Sequence, residues 1–198
     1  RSKTMAAANE MPILPSSIDI VPTSRYGRNK TKPREEEMAD RKISTVLWFA
    51  KGGEEAAKFY TKLIPNSRII GTYTPPMGDD MGQPSGEPLV IDFDLGGVPY
   101  QILNAGPHFK QTEAVSIMVQ TEDQAETDHL WNALIADGGE ESMCGWLKDK
   151  WGVSWQITPK KLLEATTNSD RAAAQRAMDA MMKMRKIDIA TIEAAFDG

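Results

Sequence analysis

The chain has 198 residues, 40% of them hydrophobic and 26% charged, with a net charge of −5. That length makes one or two domains, and that composition is ordinary for a soluble globular protein with a sizeable core. No run approaches the ~18 apolar residues of a membrane span, no clustered basic face answers nucleic-acid phosphates, and the one cysteine, Cys144, cannot form an internal disulfide. Membrane and nucleic acid are therefore not expected partners, and a reducing, cytoplasmic compartment suits the cysteine usage.

Residues 1–40 are polar and carry Pro12, Pro15, Pro22 and Pro33, basic from Arg25 to Arg34 and acidic at Glu35-Glu36-Glu37. They read as an extended arm, without a signal-peptide apolar core and with too many acidic residues for a transit peptide. From Ile43 the pattern predicts strand 43–49, helix 53–64 and strand 67–74, then a Pro/Gly-rich loop and strands 88–95 and 98–103. The helix has Ala56, Phe59, Tyr60 and Leu63 at the spacing that buries one face, and Pro65-Asn66 stops it. Gly96-Gly97 is a hairpin signal.

A second series follows: strand 114–120, a helix from Glu122 to about Ala136, and strands 139–144, 146–149 and 152–158. Thr121, Glu122 and Asp123 put capping oxygens and negative charge at the helix start, and Gly138-Gly139 ends it. From Ser169 the tail is helical, with Ala172, Ala173, Met178, Met181 and Met182 at helical spacing. A shorter helix from Asp188 carries Ile189, Ile192 and Phe196. The chain divides into the arm (1–40), a domain of paired units (41–160) and a helical tail (161–198).

The two series are copies of one unit. Gly97-Val98-Pro99-Tyr100-Gln101-Ile102 returns as Gly152-Val153-Ser154-Trp155-Gln156-Ile157, an offset of 55 residues. An offset of 71 carries Thr45 to Ser116, Phe59-Tyr60 to Leu130-Trp131 and Leu63 to Leu134. Thr45 thus pairs with Ser116 and Gln101 with Gln156. Each unit reads strand, helix, three strands, and one alone would expose an apolar sheet face, so two must pair, within the chain or between chains.

Several blocks in order resemble one family: Phe49 through Tyr60 with Glu54-Glu55-Ala56-Ala57-Lys58, Pro65-Asn66-Ser67, Leu103-Asn104-Ala105-Gly106-Pro107-His108-Phe109, Cys144-Gly145-Trp146-Leu147-Lys148-Asp149, and Gly152 through Gln156. Together they resemble the PhnB-like branch of the vicinal oxygen chelate superfamily, named for 3-demethylubiquinone-9 3-methyltransferase. The resemblance runs from about Ile43 to Phe196. It implies an α+β fold of two βαβββ modules that form a cup-shaped, mostly antiparallel eight-stranded sheet, followed by C-terminal helices, commonly in a homodimer with the ligand inside the cup.

In metal-using relatives the resemblance places ligands on the first and last strands of each module, which here means Thr45, Gln101, Ser116 and Gln156. None is His, Glu or Asp, and two amides with two hydroxyls supply no charge to offset desolvation of a divalent ion. No metal or other cofactor is expected there. The same groups can exchange hydrogen bonds with a small organic molecule, aromatic or quinone-like. Trp48 and Trp155 are candidate cup wall or core that could stack against an aromatic ligand, and His108 is a candidate contact from a loop after a strand end. S-adenosylmethionine chemistry is not expected, because Gly52-Gly53 lacks the glycine spacing of such sites and the elements do not alternate as that fold requires. Whether the chain is an enzyme is open: the competing reading is a lyase, isomerase or dioxygenase whose displaced metal is held by His108 with acidic residues such as Glu113. His129 on the second helix, Cys144 and the methionine stripe are read as structural.

Overall fold

The computed structural model describes residues 42–75 and 86–198. The arm over 1–40 and most of the Pro/Gly-rich loop lie outside the described residues. Lys42 to Gly198 form one compact unit.

In chain order the elements are β1 (Thr45–Phe49), α1 (Gly53–Leu63), β2 (Arg68–Tyr73), β3 (Val90–Leu95), β4 (Val98–Asn104), β5 (Ser116–Thr121), α2 (Gln124–Ile135), β6 (Glu140–Glu141), β7 (Trp146–Lys148), β8 (Ser154–Pro159), α3 (Lys160–Thr166), α4 (Arg171–Met181) and α5 (Ile189–Asp197). Both βαβββ modules are present, with the C-terminal helices after them. The eight strands make two four-stranded sheets, ordered β1-β4-β3-β2 and β5-β8-β7-β6. The outer pairs β1–β4 and β5–β8 are parallel and the remaining neighbours antiparallel.

Each module covers one sheet face with its helix. Helix α1 buries Gly53, Ala56, Ala57 and Tyr60, and α2 buries Thr127, Leu130, Trp131 and Leu134, both at the i, i+3, i+4, i+7 spacing of an apolar stripe. The small residues of α1 let it lie close to its sheet: a Cβ on Gly53 would stand 2.5 Å from Ile102 Cγ2. The helix-side faces of both sheets share a single core, in which Leu47, Phe93 and Ile102 of the first module join Leu130, Trp131, Leu147 and Trp155 of the second. Tyr60 sits at the join, its ring centroid 6.4 Å from Phe93 and 5.1 Å from Trp155.

The helix starts are satisfied in different ways. Asp123 accepts from Glu126 N at 2.9 Å while the Glu126 carboxylate accepts from Glu122 N at 2.7 Å, a reciprocal cap that occupies two otherwise free donors. Gly52 has no side chain to cap α1. Instead Glu87 reaches over from the segment before β3, its Oε2 accepting from Gly52 N at 2.9 Å and from Asn104 Nδ2 at 2.7 Å.

Two expectations on the elements need correction. The strand predicted over 139–144 contains regular pairing only at Glu140–Glu141. Cys144 and Gly145 have positive φ, 59° and 83°, and turn the chain so that their N–H groups donate to Met184 O (2.8 Å) and Arg185 O (2.7 Å). The tail also becomes helical earlier than Ser169: β8 runs through Pro159 straight into α3. Proline lacks only an N–H that a helix start does not use, so it opens a helix as readily as it ends a strand. Helices α3, α4 and α5 close around a second, smaller core of Leu162, Ala165, Ala177, Ile187 and Ile192.

Candidate functional site: the outer faces of the two sheets

Strand alternation fixes which side chains leave the shared core. In the first sheet Gln101 pairs with Val46 on one side and Asp92 on the other, so these three share the outer face. In the second, Gln156 pairs with Met118 and Trp146, and Ser116 and Lys148 both pair with Ser154. Gln101 and Gln156 therefore hold equivalent places, as the 55-residue offset implies.

The same register corrects the pairing of Thr45 with Ser116. Val46, not Thr45, lies beside Gln101, and Met118 lies beside Gln156, so the first strands correspond at an offset of 72. The helices correspond at 71, Tyr60 with Trp131. Three residues join β1 to α1 and two join β5 to α2, and that difference absorbs the slip. In a strand one residue reverses the side: Thr45 pairs with Tyr100 and points to the helix side, where Tyr100 stacks on Phe93. Trp155 is misplaced by the same alternation. It is fully buried and donates from Nε1 to Asp149 Oδ2 at 2.9 Å, so it belongs to the core and not to the outer face.

Five of the expected residues lie on the outer faces or in the loop beside them. Gln156 Nε2 donates to Ser116 Oγ at 2.8 Å, so those two stand together. Gln101 Nε2 donates to Asp92 Oδ1 at 2.7 Å. Trp48, diagonal to Gln101 on the same face, spends its Nε1 hydrogen on Gly106 O at 2.8 Å and packs edge-on against Phe109, with ring centroids 4.8 Å apart. His108 is exposed in that loop, its ring 6.3 Å from Trp48, and Gln111 Nε2 ties the loop to Trp48 O at 2.5 Å. The face is thus half-apolar, with an indole ring beside polar groups.

Several outer-face residues were not expected. Asp92 is half-buried, and burial raises its carboxyl above the usual range, an effect that the Gln101 hydrogen bond opposes. The clue was its place in Val90-Ile91-Asp92-Phe93-Asp94-Leu95, where each acid alternates with a core residue. Asp94 on the same face is buried and ion-paired with Arg68 at 3.6 Å. In the second sheet Lys148 pairs with Glu113 at 2.5 Å. Beside that pair Ser154 is buried and its Oγ has no protein partner, in a small cavity of about 130 Å³ that Trp146 also lines.

A divalent metal does not fit these faces. The residues beside the two glutamines on β1 and β5 are Val46 and Met118, which offer no hard donor. Among the described residues no three His, Cys, Asp or Glu are grouped to hold an ion. His108 lies by Trp48 and Glu113 by Lys148, so the structure does not assemble a displaced site from them. No described helix is long and apolar enough to cross a membrane.

The sequence model of the 3-demethylubiquinone-9 3-methyltransferase family matches residues 41–158. Among solved structures, the PhnB protein from Bacillus cereus is 31% identical and superposes with a TM-score of 0.55, over 60% of this chain and 99% of the other. Protein PA1353 from Pseudomonas aeruginosa is 20% identical, with a TM-score of 0.50 over 61% and 98%. FosX from Mesorhizobium loti is 11% identical and covers 60% and 90%, at a TM-score of 0.41. No curated protein matches the chain. With its paired βαβββ modules and a family match over more than half its length, the chain belongs to the 3-demethylubiquinone-9 3-methyltransferase family and is PhnB-like.

Proposed function

We propose that the protein binds a small organic molecule on the outer sheet faces, through amide and hydroxyl groups and without a metal. The observation that carries this reading is the pair of equivalent glutamines, each on an outer face and each held by a single neighbour, Asp92 or Ser116. A half-buried amide held at one end keeps hydrogen-bonding capacity for a ligand, and Trp48 supplies aromatic surface beside Gln101. The methyl-transfer activity in the family's name draws no support from the residues, because no glycine-rich strand-to-helix turn sits where such a cofactor would rest.

The faces become a cup when a second copy of the chain covers them. Among the described residues edge strands β1 and β5 have no sheet neighbour on their free sides, and both carry exposed apolar side chains, Val46 at 51% and Met118 at 50%. A free strand edge with apolar flanks is a template for pairing, and a homodimer joining β1 of one copy to β5 of the other would bury both.

The binding reading is tested by titrating the protein with a panel of aromatic and quinone-like compounds, following tryptophan fluorescence and melting temperature. At least one compound should shift both, and Gln101→Leu or Gln156→Leu should weaken it with the fold intact. A panel without effect on the wild type removes the reading.

A further inference from the structure

We infer that Asp92 and Gln101 form a recognition point for an organic ammonium group on the outer face of the first sheet. The inference rests on the reading that this face binds a small molecule and names the class of ligand it takes.

Gln101 turns its amide nitrogen to Asp92 at 2.7 Å. An ionised carboxylate only accepts, so the amide must present its N–H₂ there, and the acceptors that the pair leaves unused are the second carboxylate oxygen and the amide oxygen, beside one remaining amide hydrogen. Neither residue takes another partner among the described residues. Two neighbouring acceptors with one negative charge match a group that carries several N–H donors and a positive charge. An ammonium has three donors, a hydroxyl one and a quinone carbonyl none.

Among the described residues the Asp92 carboxylate has no ion-pair partner. The cation on the adjoining strand, Arg68, is engaged with Asp94 at 3.6 Å. Asp92 remains half-buried with an amide as its neighbour, and burial raises its pKa. A ligand cation would fill the role. Trp48, on the same face and diagonal to Gln101, has already committed its N–H to Gly106. It offers ring surface to the carbon skeleton of the ligand and to the cation itself.

Three probes of matched size separate the possibilities: benzylammonium, benzyl alcohol and benzoate, titrated by calorimetry and tryptophan fluorescence into wild-type protein and Asp92→Asn. Asparagine retains an acceptor for Gln101 and removes the charge, and its melting temperature reports whether the fold is kept. Benzylammonium should bind most tightly and benzoate least. In Asp92→Asn its affinity should fall by about tenfold, the scale of one charge-assisted hydrogen bond, while benzyl alcohol changes little. If benzylammonium fails to bind the wild type, binds no better than benzoate, or binds Asp92→Asn equally well, the assignment is overturned. Equal binding of all three probes would overturn it while leaving the small-molecule reading in place.

Discussion

Tyr60 donates its phenolic hydrogen to Asp149 Oδ2 at 2.6 Å, tying the helix of the first module to the turn after β7 in the second. Asp149 is buried and takes three further donors: Trp155 Nε1 at 2.9 Å on the same oxygen, and the backbone N–H groups of Trp151 (2.9 Å) and Val153 (3.0 Å) on Oδ1. Burial raises its pKa and the four hydrogen bonds oppose that shift. Tyr60 is pushed well above its ordinary value, first by burial and then by the neighbouring carboxylate. At the joint the carboxylate is the acceptor for four donors and the phenol is one of them.

Asp149→Asn should destabilise the protein by roughly 2–3 kcal/mol, because the amide's N–H₂ would replace an oxygen where donors converge. Tyr60→Phe should cost less, about 1 kcal/mol, since the carboxylate keeps three donors. Urea unfolding of both variants measures the difference; equal and negligible losses would remove the joint from the stability argument.

Two glycine substitutions should behave oppositely. Gly53→Ala drives a methyl to 2.5 Å from Ile102 Cγ2 and should cost about 1–3 kcal/mol through overpacking. Gly71→Ala has nothing within 4 Å of the new carbon and should be neutral or stabilising by about 0.5 kcal/mol through the unfolded chain. Thermal melts of the two variants decide it.

Val46→Glu and Met118→Glu place charge on the free edges of the two sheets. Sedimentation of the wild type should give the mass of a dimer. Either variant should shift it toward one chain while circular dichroism is unchanged. Wild-type protein that sediments as a monomer would remove the homodimer.

The raised carboxyl of Asp92 has a definite sign in stability. Its native pKa lies above its unfolded value, so the native state holds the proton more tightly and stability declines as pH rises from the unfolded pKa through the native one. Asp92→Asn abolishes that decline. Its melting temperature relative to wild type should therefore be higher at pH 7 than at pH 3.5. A difference that is flat with pH would mean the carboxyl is not perturbed in the native state.

Strand and helix order, the duplication and the family could all be read from residue periodicity and motif blocks, because both modules repeat the same alternation. The site was less legible, and the reason is local. One residue more in the β1–α1 connection than in its counterpart leaves the helices at one offset and the strands at another. A comparison anchored on Phe59-Tyr60 therefore carried Thr45 to the wrong side of its strand. Trp155 stood open between cup wall and core because aromatic character says nothing about which face a strand residue takes, whereas its place next to Gln156 does. Asp92 was missed because an acid inside an apolar strand gains meaning only when its cross-strand neighbour is known.

The turn at Cys144-Gly145 closes on the carbonyls of Met184 and Arg185, about forty residues further along the chain. The turn before β7 therefore depends on the segment after α4 for two of its backbone hydrogen bonds. The strands of the first sheet all lie between Thr45 and Asn104, but its helix leans on the second module through Tyr60 and Asp149. Truncating the chain before Met184 would leave the two N–H groups of that turn without their acceptors.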